Sequence, residues 1–124
     1  MPLQFFHVED LCRFIEILLT KQPENRIFNV GNPDPADIRT WVEMCYLAAG
    51  KEAKFIEVHG RHDQRSYFPF YNYVYHLDVT RQQALMPQIK PLKDGLRESY
   101  AWYQQHPDGY RKKPFLEYID QYLL

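Results

Sequence analysis

The feature that most constrains this chain is residues 8–20, which are apolar on more than one side of a predicted helix. Apolar side chains recur there at the spacing of one helix face: Val8, Leu11, Cys12, Ile15, Leu18 and Leu19. Phe14 and Ile17 widen that face. Glu9 and Asp10 lie in the first turn, where negative charge complements the helix dipole. A helix this apolar has to be covered over much of its circumference, so we expect other structure to pack on more than one side of it.

Downstream, short apolar runs alternate with helical patterns, which predicts an α/β fold. Strands are predicted at 26–30, 55–58 and 73–77. Further helices are predicted at 38–49, 80–86, 92–103 and 115–124. We expect the second and third strands to form a small sheet that is covered by helices.

Polar residues predict where the helices begin and end. Asp37 is a candidate N-cap for the helix at 38–49, and Gly50 is suited to the left-handed residue that ends it. The next helix is expected to be capped by Asp78 or Thr80, with Thr80 and Gln83 forming a capping box. The segment 32–35 contains two prolines, which predicts a rigid polar loop.

The composition argues against several classes of protein. The 124 residues include 15 basic and 16 acidic side chains, a balance that does not fit a polyanion-binding surface. The longest apolar runs, such as 17–19, are too short to span a bilayer, and no signal peptide precedes them. We therefore expect a cytoplasmic protein without membrane contact, in which Cys12 and Cys45 are reduced packing residues.

The sequence lacks the motifs of a self-contained nicotinamide enzyme. Its five glycines are scattered singly, so no glycine-rich turn can cradle a dinucleotide pyrophosphate. No tyrosine is followed four residues later by lysine. His59 and His62 could be mistaken for metal ligands, but their spacing brings side chains together only on a helix, and Gly60 disfavours one. We predict no catalytic residue, no metal and no cofactor site in this chain.

The polar loop at 59–66 carries the best functional signal. Arg61 and Arg65 offer guanidinium groups that bind phosphate oxygens in pairs, and nearby aromatic rings such as Tyr71 suit a base or a sugar. The alternative is that the arginines are solvated and pair with surface carboxylates. Residue type alone favours that alternative, because exposed arginines are common.

An aromatic-rich segment, 67–77, follows that loop. Its later part alternates like a half-buried strand, which favours packing, whereas a stacking platform for single-stranded RNA is the alternative. The slightly acidic chain and the lack of a basic stripe disfavour nucleic acid. The cluster at 111–113 is interpreted as a solvated basic face, and Trp41 and Trp102 as core residues.

Five motifs follow one another along the chain: Phe5-Phe6-His7-Val8-Glu9-Asp10-Leu11, Arg26-Ile27-Phe28-Asn29-Val30-Gly31-Asn32, His76-Leu77-Asp78-Val79-Thr80-Arg81, Leu92-Lys93-Asp94-Gly95-Leu96 and Trp102-Tyr103-Gln104-Gln105-His106-Pro107-Asp108-Gly109-Tyr110. Taken in order, these motifs resemble the C-terminal part of extended short-chain dehydrogenase/reductases, the family of nucleotide-sugar epimerases and dehydratases. The last of them is similar to the end of UDP-galactose 4-epimerases. The resemblance extends over nearly the whole chain, to about Tyr110.

The resemblance implies that residues 1–31 are the last helix and strand of a Rossmann domain and that 32–124 form the small substrate-binding domain. In the family, the glycine-rich turn and the Tyr-x-x-x-Lys pair precede this region. The chain is therefore expected to be a truncated piece, inactive alone, whose parent enzyme uses NAD or NADP and binds a nucleotide sugar. The rival hypothesis is a freestanding module that binds a protein or RNA through the aromatic segment 67–77.

The resemblance also bears on the site and on assembly. The place where relatives often carry a diphosphate-binding arginine holds Leu3 and Gln4, so that contact is in doubt. A second family arginine lies where Arg61 or Arg65 stands, which raises a phosphate contact for one of them above the solvated alternative. A strand and helix that have lost their sheet expose apolar surface and backbone groups, so we expect self-association through residues 5–30.

Overall fold

The computed structural model describes residues 2–55, 74 and 76–109. In this part of the chain the helices and strands are β1 Pro2–Leu3, α1 Val8–Lys21, β2 Ala36–Asp37, α2 Ile38–Ala48, α3 Thr80–Leu85 and α4 Leu92–Gln105. The structure is therefore mixed helix with a small sheet, which agrees with the predicted α/β class at that coarse level. None of these helices has the length and hydropathy of a membrane span.

The two strands form an antiparallel pair that the sequence did not predict. Pro2 pairs with Asp37 and Leu3 with Ala36, so the start of the chain lies beside the residues that lead into α2. Two-residue strands are too short to carry an alternating hydropathy signal. α2 packs against α4, and Phe5, just after β1, stacks on Trp41 of α2 with ring centroids 5.5 Å apart.

The helix predicted at 8–20 is confirmed as α1. Its N-cap is His7, whose Nδ1 accepts a hydrogen bond from the Glu9 N–H at 3.3 Å. Gln22 ends it in the left-handed conformation, with φ of 43°. The expectation of cover on several sides is wrong for the described part of the chain. Asp10 and Phe14 are buried, whereas much of the remaining apolar face is exposed.

The helix predicted at 38–49 is confirmed as α2, together with both predicted boundaries. The carboxylate of Asp37 accepts a hydrogen bond from the Thr40 N–H at 2.8 Å, which lowers the pKa of Asp37. Gly50 follows the helix with φ of 68°, a conformation that side chains disfavour.

The strand predicted at 26–30 is wrong. No described strand pairs with this segment, and a strand forms only where a partner accepts and donates its ladder of hydrogen bonds. The other predicted strands are only partly tested. Phe55, Val74, His76 and Leu77 lie outside any strand, and the rest of 55–58 and 73–77 lies outside the described residues.

The helices at 80–86 and 92–103 are confirmed as α3 and α4, but the predicted capping box at the start of α3 is not formed. Instead, the Asp78 carboxylate accepts from both the N–H and the hydroxyl of Thr80, at 2.9 and 2.6 Å, which lowers the pKa of Asp78. The helix predicted at 115–124 and the basic cluster at 111–113 lie outside the described residues.

The core of the described residues is small. Its buried apolar side chains are Phe14, Ala36, Val79 and Met86, and its buried polar ones are Asp10, Asn32 and Gln82. Phe14 meets the edge of Phe28 with ring centroids 5.5 Å apart.

Four residues were predicted to be packed inside, and the structure leaves two of them exposed and two half-buried. Trp102 is 54% exposed and stacks on His106, because it lies on the outward side of α4. Cys12 is a free, exposed thiol on the uncovered face of α1. Cys45 is free and half-buried, and this burial raises the pKa of its thiol. Trp41 is half-buried, with its indole N–H enclosed and without a hydrogen-bond partner.

Candidate functional site

The residues predicted to bind a substrate, Arg61, Arg65 and Tyr71, lie outside the described residues, and so do His59 and His62. The structure does describe Leu77 and Asp78, which follow these residues in the sequence. These two residues are tied to the rest of the molecule by side-chain amides, and we call this set of contacts the amide junction. It consists of Gln4, Asn29, Asn32 and Gln82 with the backbone groups that they bind.

Gln4 binds both backbone groups of Leu77. Its Oε1 accepts from the Leu77 N–H at 2.8 Å, and its Nε2 donates to the Leu77 carbonyl at 3.1 Å. The same Nε2 lies 3.1 Å from the carbonyl oxygen of Asn32. One carboxamide thus forms the two hydrogen bonds that a neighbouring strand would form with Leu77.

Gln82, which is completely buried, does the same for Gly31. Its Oε1 accepts from the Gly31 N–H at 2.7 Å and its Nε2 donates to the Gly31 carbonyl at 3.2 Å. Because buried backbone groups must be paired, this side chain allows residues 29–32 to lie against α3 without a sheet. Asn29 adds a third link, by donating to the Asp78 carbonyl at 3.1 Å.

Gly31 lies between the two glutamines, and a side chain at this position would force Gln4 to move. A Cβ atom at this position would come within 2.6 Å of Cδ of Gln4. Asn32 follows, buried, and its side-chain oxygen accepts from the Asp34 N–H at 2.9 Å, which fixes the loop predicted at 32–35. The amide junction therefore links residues 29–32 to Leu77, Asp78 and α3 through uncharged side chains.

A cavity of about 130 Å³ lies beside the junction, between the start of α1 and the start of α4. Its walls include Phe5, His7, Lys90 and Leu96. Pockets that hold drug-sized ligands measure about 300–1,000 Å³, so this cavity alone does not enclose a nucleotide.

An ionic cluster closes one side of that cavity. The Lys90 ammonium lies 2.5 Å from a carboxylate oxygen of Glu9 and 2.5 Å from one of Glu98. These contacts lower the pKa of Glu9 and raise the pKa of Lys90. The Lys90 N–H also donates to the buried Asp10 at 2.6 Å, which fastens the start of α1 to the segment before α4.

His7, Glu9 and Glu98 have the ligand types of a metal site, and their ligand atoms lie within 4.8 Å of one another. The cation that these carboxylates need is already supplied by Lys90, and His7 Nδ1 is occupied by the Glu9 N–H. We therefore interpret the cluster as an ion-pair network.

Sequence reasoning missed the amide junction, although one signal pointed to it. Gln4 was noted as the residue near the place of a family arginine, and the structure gives it a backbone-binding role. Gln82 carried no signal, because a glutamine in a helix is normally solvated.

Comparison with known proteins supports the resemblance at a coarse level. Over 109 aligned residues the chain is 29% identical to a dTDP-glucose 4,6-dehydratase from Streptomyces griseus, and the alignment covers 83% of this chain. The chain spans 30% of the length of that relative. No family model and no solved structure matches the chain. The chain is thus similar to part of a nucleotide-sugar dehydratase. The finer likeness to UDP-galactose 4-epimerases stays a prediction.

Proposed function

We propose that this chain is the substrate-binding portion of an NAD(P)-dependent dehydratase or epimerase that acts on a nucleotide sugar. The observation that carries the proposal is the similarity to dTDP-glucose 4,6-dehydratase along 83% of the chain. The five family motifs, which occur in the expected order, agree with it. The division into 1–31 and 32–124 belongs to this proposal.

In the proposed enzyme, this chain holds the nucleotide and other residues hold the cofactor. The single glycines and the lack of a Tyr-x-x-x-Lys pair assign the cofactor turn and the proton transfer to sequence beyond these 124 residues. Whether that cofactor is NAD or NADP depends on the same sequence. The chain alone is therefore expected to bind weakly and to catalyse nothing.

Because the amide junction carries no charge, the proposed substrate site needs positive charge from the polar loop at 59–66. Gln4 lies near the position where relatives often carry an arginine. Its side-chain amide is neutral and binds Leu77 and Asn32, so it supplies no positive charge to a substrate. The diphosphate charge then has to be met by Arg61 or Arg65, whose forked donors suit phosphate oxygens. Tyr71 is proposed to contact the base or sugar.

The experiment is ligand-observed NMR, since saturation transfer from the chain to a nucleotide detects millimolar affinity. We expect transfer to dTDP and dTDP-glucose, and a clear loss of it in the Arg61→Ala or the Arg65→Ala variant. Arg81→Ala, which removes an exposed arginine on α3, is the matched control and should keep the signal.

Two results would overturn the proposal. One is no transfer to either nucleotide at millimolar concentration from the folded chain. The other is binding of a short single-stranded RNA, with no nucleotide-sugar signal, that is lost in Tyr71→Ala and Tyr73→Ala. The second result would favour the freestanding RNA-binding module.

A further inference from the structure

A groove lies between the start of α1 and the middle of α4. It measures about 330 Å³ and is lined by His7, Val8, Glu9, Glu98, Ser99 and Trp102. Its two large apolar side chains face solvent in the described part of the chain, since Val8 is 66% exposed and Trp102 54%. We call it the α1–α4 groove. Apolar side chains that are rimmed by charged ones are typical of a docking surface.

The end of the described chain lies at the wall of this groove. After α4 the chain turns, because the Gly109 N–H donates to the His106 carbonyl at 2.9 Å. The His106 ring stacks on Trp102 with ring centroids 4.5 Å apart, and a Cβ atom on Gly109 would lie 3.0 Å from Cη2 of Trp102. The next residues in the sequence therefore begin beside Trp102.

Residues 110–124 lie outside the described residues, and their sequence is complementary to the groove. The basic cluster at 111–113 is followed by the predicted helix at 115–124. The apolar side chains of that helix recur at the spacing of one face: Phe115, Ile119, Tyr122 and Leu123. A helix this short is marginal in water by itself, so it needs another surface to pack on.

The rim of the α1–α4 groove is negative. The side chains of Glu9 and Glu98 are 65% and 51% exposed, and both carboxylates contact the one ammonium group of Lys90. Two negative charges thus share one positive charge. The last turn of α4 also has no basic residue to complement the negative end of its dipole. The cluster at 111–113 supplies three positive charges next to this rim.

The distances along the chain fit the same arrangement. Glu98 precedes Trp102 by four residues, so it lies about 6 Å back along the axis of α4. Two or three extended residues after Gly109 span about 7–11 Å. Pro114 favours an extended conformation for the residue before it. A chain that runs back along α4 therefore brings the cluster at 111–113 to the carboxylates of the rim.

We propose that residues 110–124 pack into the α1–α4 groove of their own chain. The cluster at 111–113 pairs with Glu9 and Glu98, and the apolar side of the helix at 115–124 covers Val8 and Trp102. The segment thereby ties α4 to the start of α1. The outer face of α1, around Ile15 and Leu19, is not part of this contact.

NMR with a paramagnetic agent in the solvent tests the contact in the full 124-residue chain. A neutral gadolinium chelate broadens the signals of side chains that face solvent. The Trp102 ring reports on the groove, and the enclosed indole N–H of Trp41 is the internal reference. We expect the Trp102 signals of the unmodified chain to resist broadening. The amide signals of α1 and α2 show in the same spectra whether a variant is folded.

Two sets of substitutions should uncover Trp102. One replaces the cluster, as Arg111→Gln, Lys112→Gln and Lys113→Gln together, and the other is Phe115→Ala. In each, the broadening of the Trp102 signals should rise several-fold. The matched control is Lys51→Gln with Lys54→Gln, which removes two exposed basic residues after α2 and should change nothing. Equal broadening in the unmodified chain and in both sets would overturn the proposal.

A mixing experiment tests whether each chain covers its own groove. Isotope-labelled chains with the three glutamine substitutions are mixed with an excess of unlabelled, unmodified chains. We expect the Trp102 signals of the labelled chains to stay broadened. Restored protection would mean that the segment 110–124 of a second copy fills the groove, which would overturn the proposal.

Discussion

The two sides of α1 are built from similar residues and meet different surroundings. On the inner side, Phe14 packs on Phe28, and Asp10 receives hydrogen bonds from Arg13 and the Lys90 N–H. On the outer side, Val8 and Leu19 face solvent. Hydropathy shows that a face is apolar, but it does not show whether the same chain contains the surface that covers it.

The inner side of α1 also holds a buried polar group that is paired, since the Asp10 carboxylate accepts from Arg13 and from the Lys90 backbone N–H. Elsewhere in the described structure, Gln82 and Gln4 take the place of a strand, each by binding both backbone groups of one residue. We expect these buried contacts to determine the stability of the fold, whereas an exposed apolar side chain on the outer side of α1 should contribute little.

The largest expected effect is a difference in stability between two variants, each with one apolar residue of α1 replaced, on the inner side or on the outer side. Phe14→Ala should lower the free energy of unfolding by about 3–5 kcal/mol, because a buried aromatic ring leaves a cavity. Leu19→Ala should change it by about 0.5 kcal/mol or less at a concentration where the chain is monomeric. Urea unfolding followed by circular dichroism measures both. Equal losses would contradict the comparison.

The second prediction measures the polar part of the interior. Gln82→Ala leaves the N–H and carbonyl of Gly31 without partners, which should cost about 1–3 kcal/mol of unfolding free energy. Gln83→Ala is the control, because Gln83 is the exposed neighbour in the same helix and should change stability by about 0.5 kcal/mol or less. The same urea titration gives both values. If Gln82→Ala behaves like Gln83→Ala, the amide junction does not stabilise the fold.

The sequence predicted the helices better than any other part of the fold. α1, α2 and α4 carry strong 3.6-residue periodicity, and the Asp37 cap and the Gly50 stop were both recognisable from residue type. These signals are local, since a helix satisfies its backbone within one segment.

The strands and the candidate site were harder to predict, because they depend on partners distant in sequence. Residues 26–30 have strand-like composition, but their neighbour Gly31 is bound by a glutamine 51 residues away. β1 and β2 pair across 33 residues or more with no hydropathy signal. The predicted site residues Arg61, Arg65 and Tyr71 lie outside the described residues and stay a prediction.

A third, smaller effect concerns the exposed half of the amide junction. Gln4→Ala removes the acceptor of the Leu77 N–H, so this amide should exchange its hydrogen several-fold faster. The contact is partly open to water, and the loss of stability should be about 0.5–1.5 kcal/mol. Gln105→Ala, at the exposed end of α4, is the control. Unchanged protection of Leu77 would show that Gln4 does not hold this segment.

The smallest expected effect is a pH dependence that arises at the surface of α2. The hydrogen bond from the Thr40 N–H lowers the pKa of Asp37 below 3.8, its ordinary value. A carboxyl whose pKa is lower in the folded state stabilises the fold above its unfolded pKa. That contribution is lost as the pH falls from about 4 through the folded-state pKa.

The Asp37→Ser variant keeps a capping oxygen but does not titrate. Its melting temperature should therefore fall less than that of the unmodified chain between pH 5 and pH 2. Thermal melts at both pH values give the comparison, and Asp37→Ala serves as a control that loses the cap at every pH. Because this contact is exposed, its effect should stay well below that of Phe14→Ala. An equal fall in Asp37→Ser and the unmodified chain would mean that the acid sensitivity arises elsewhere.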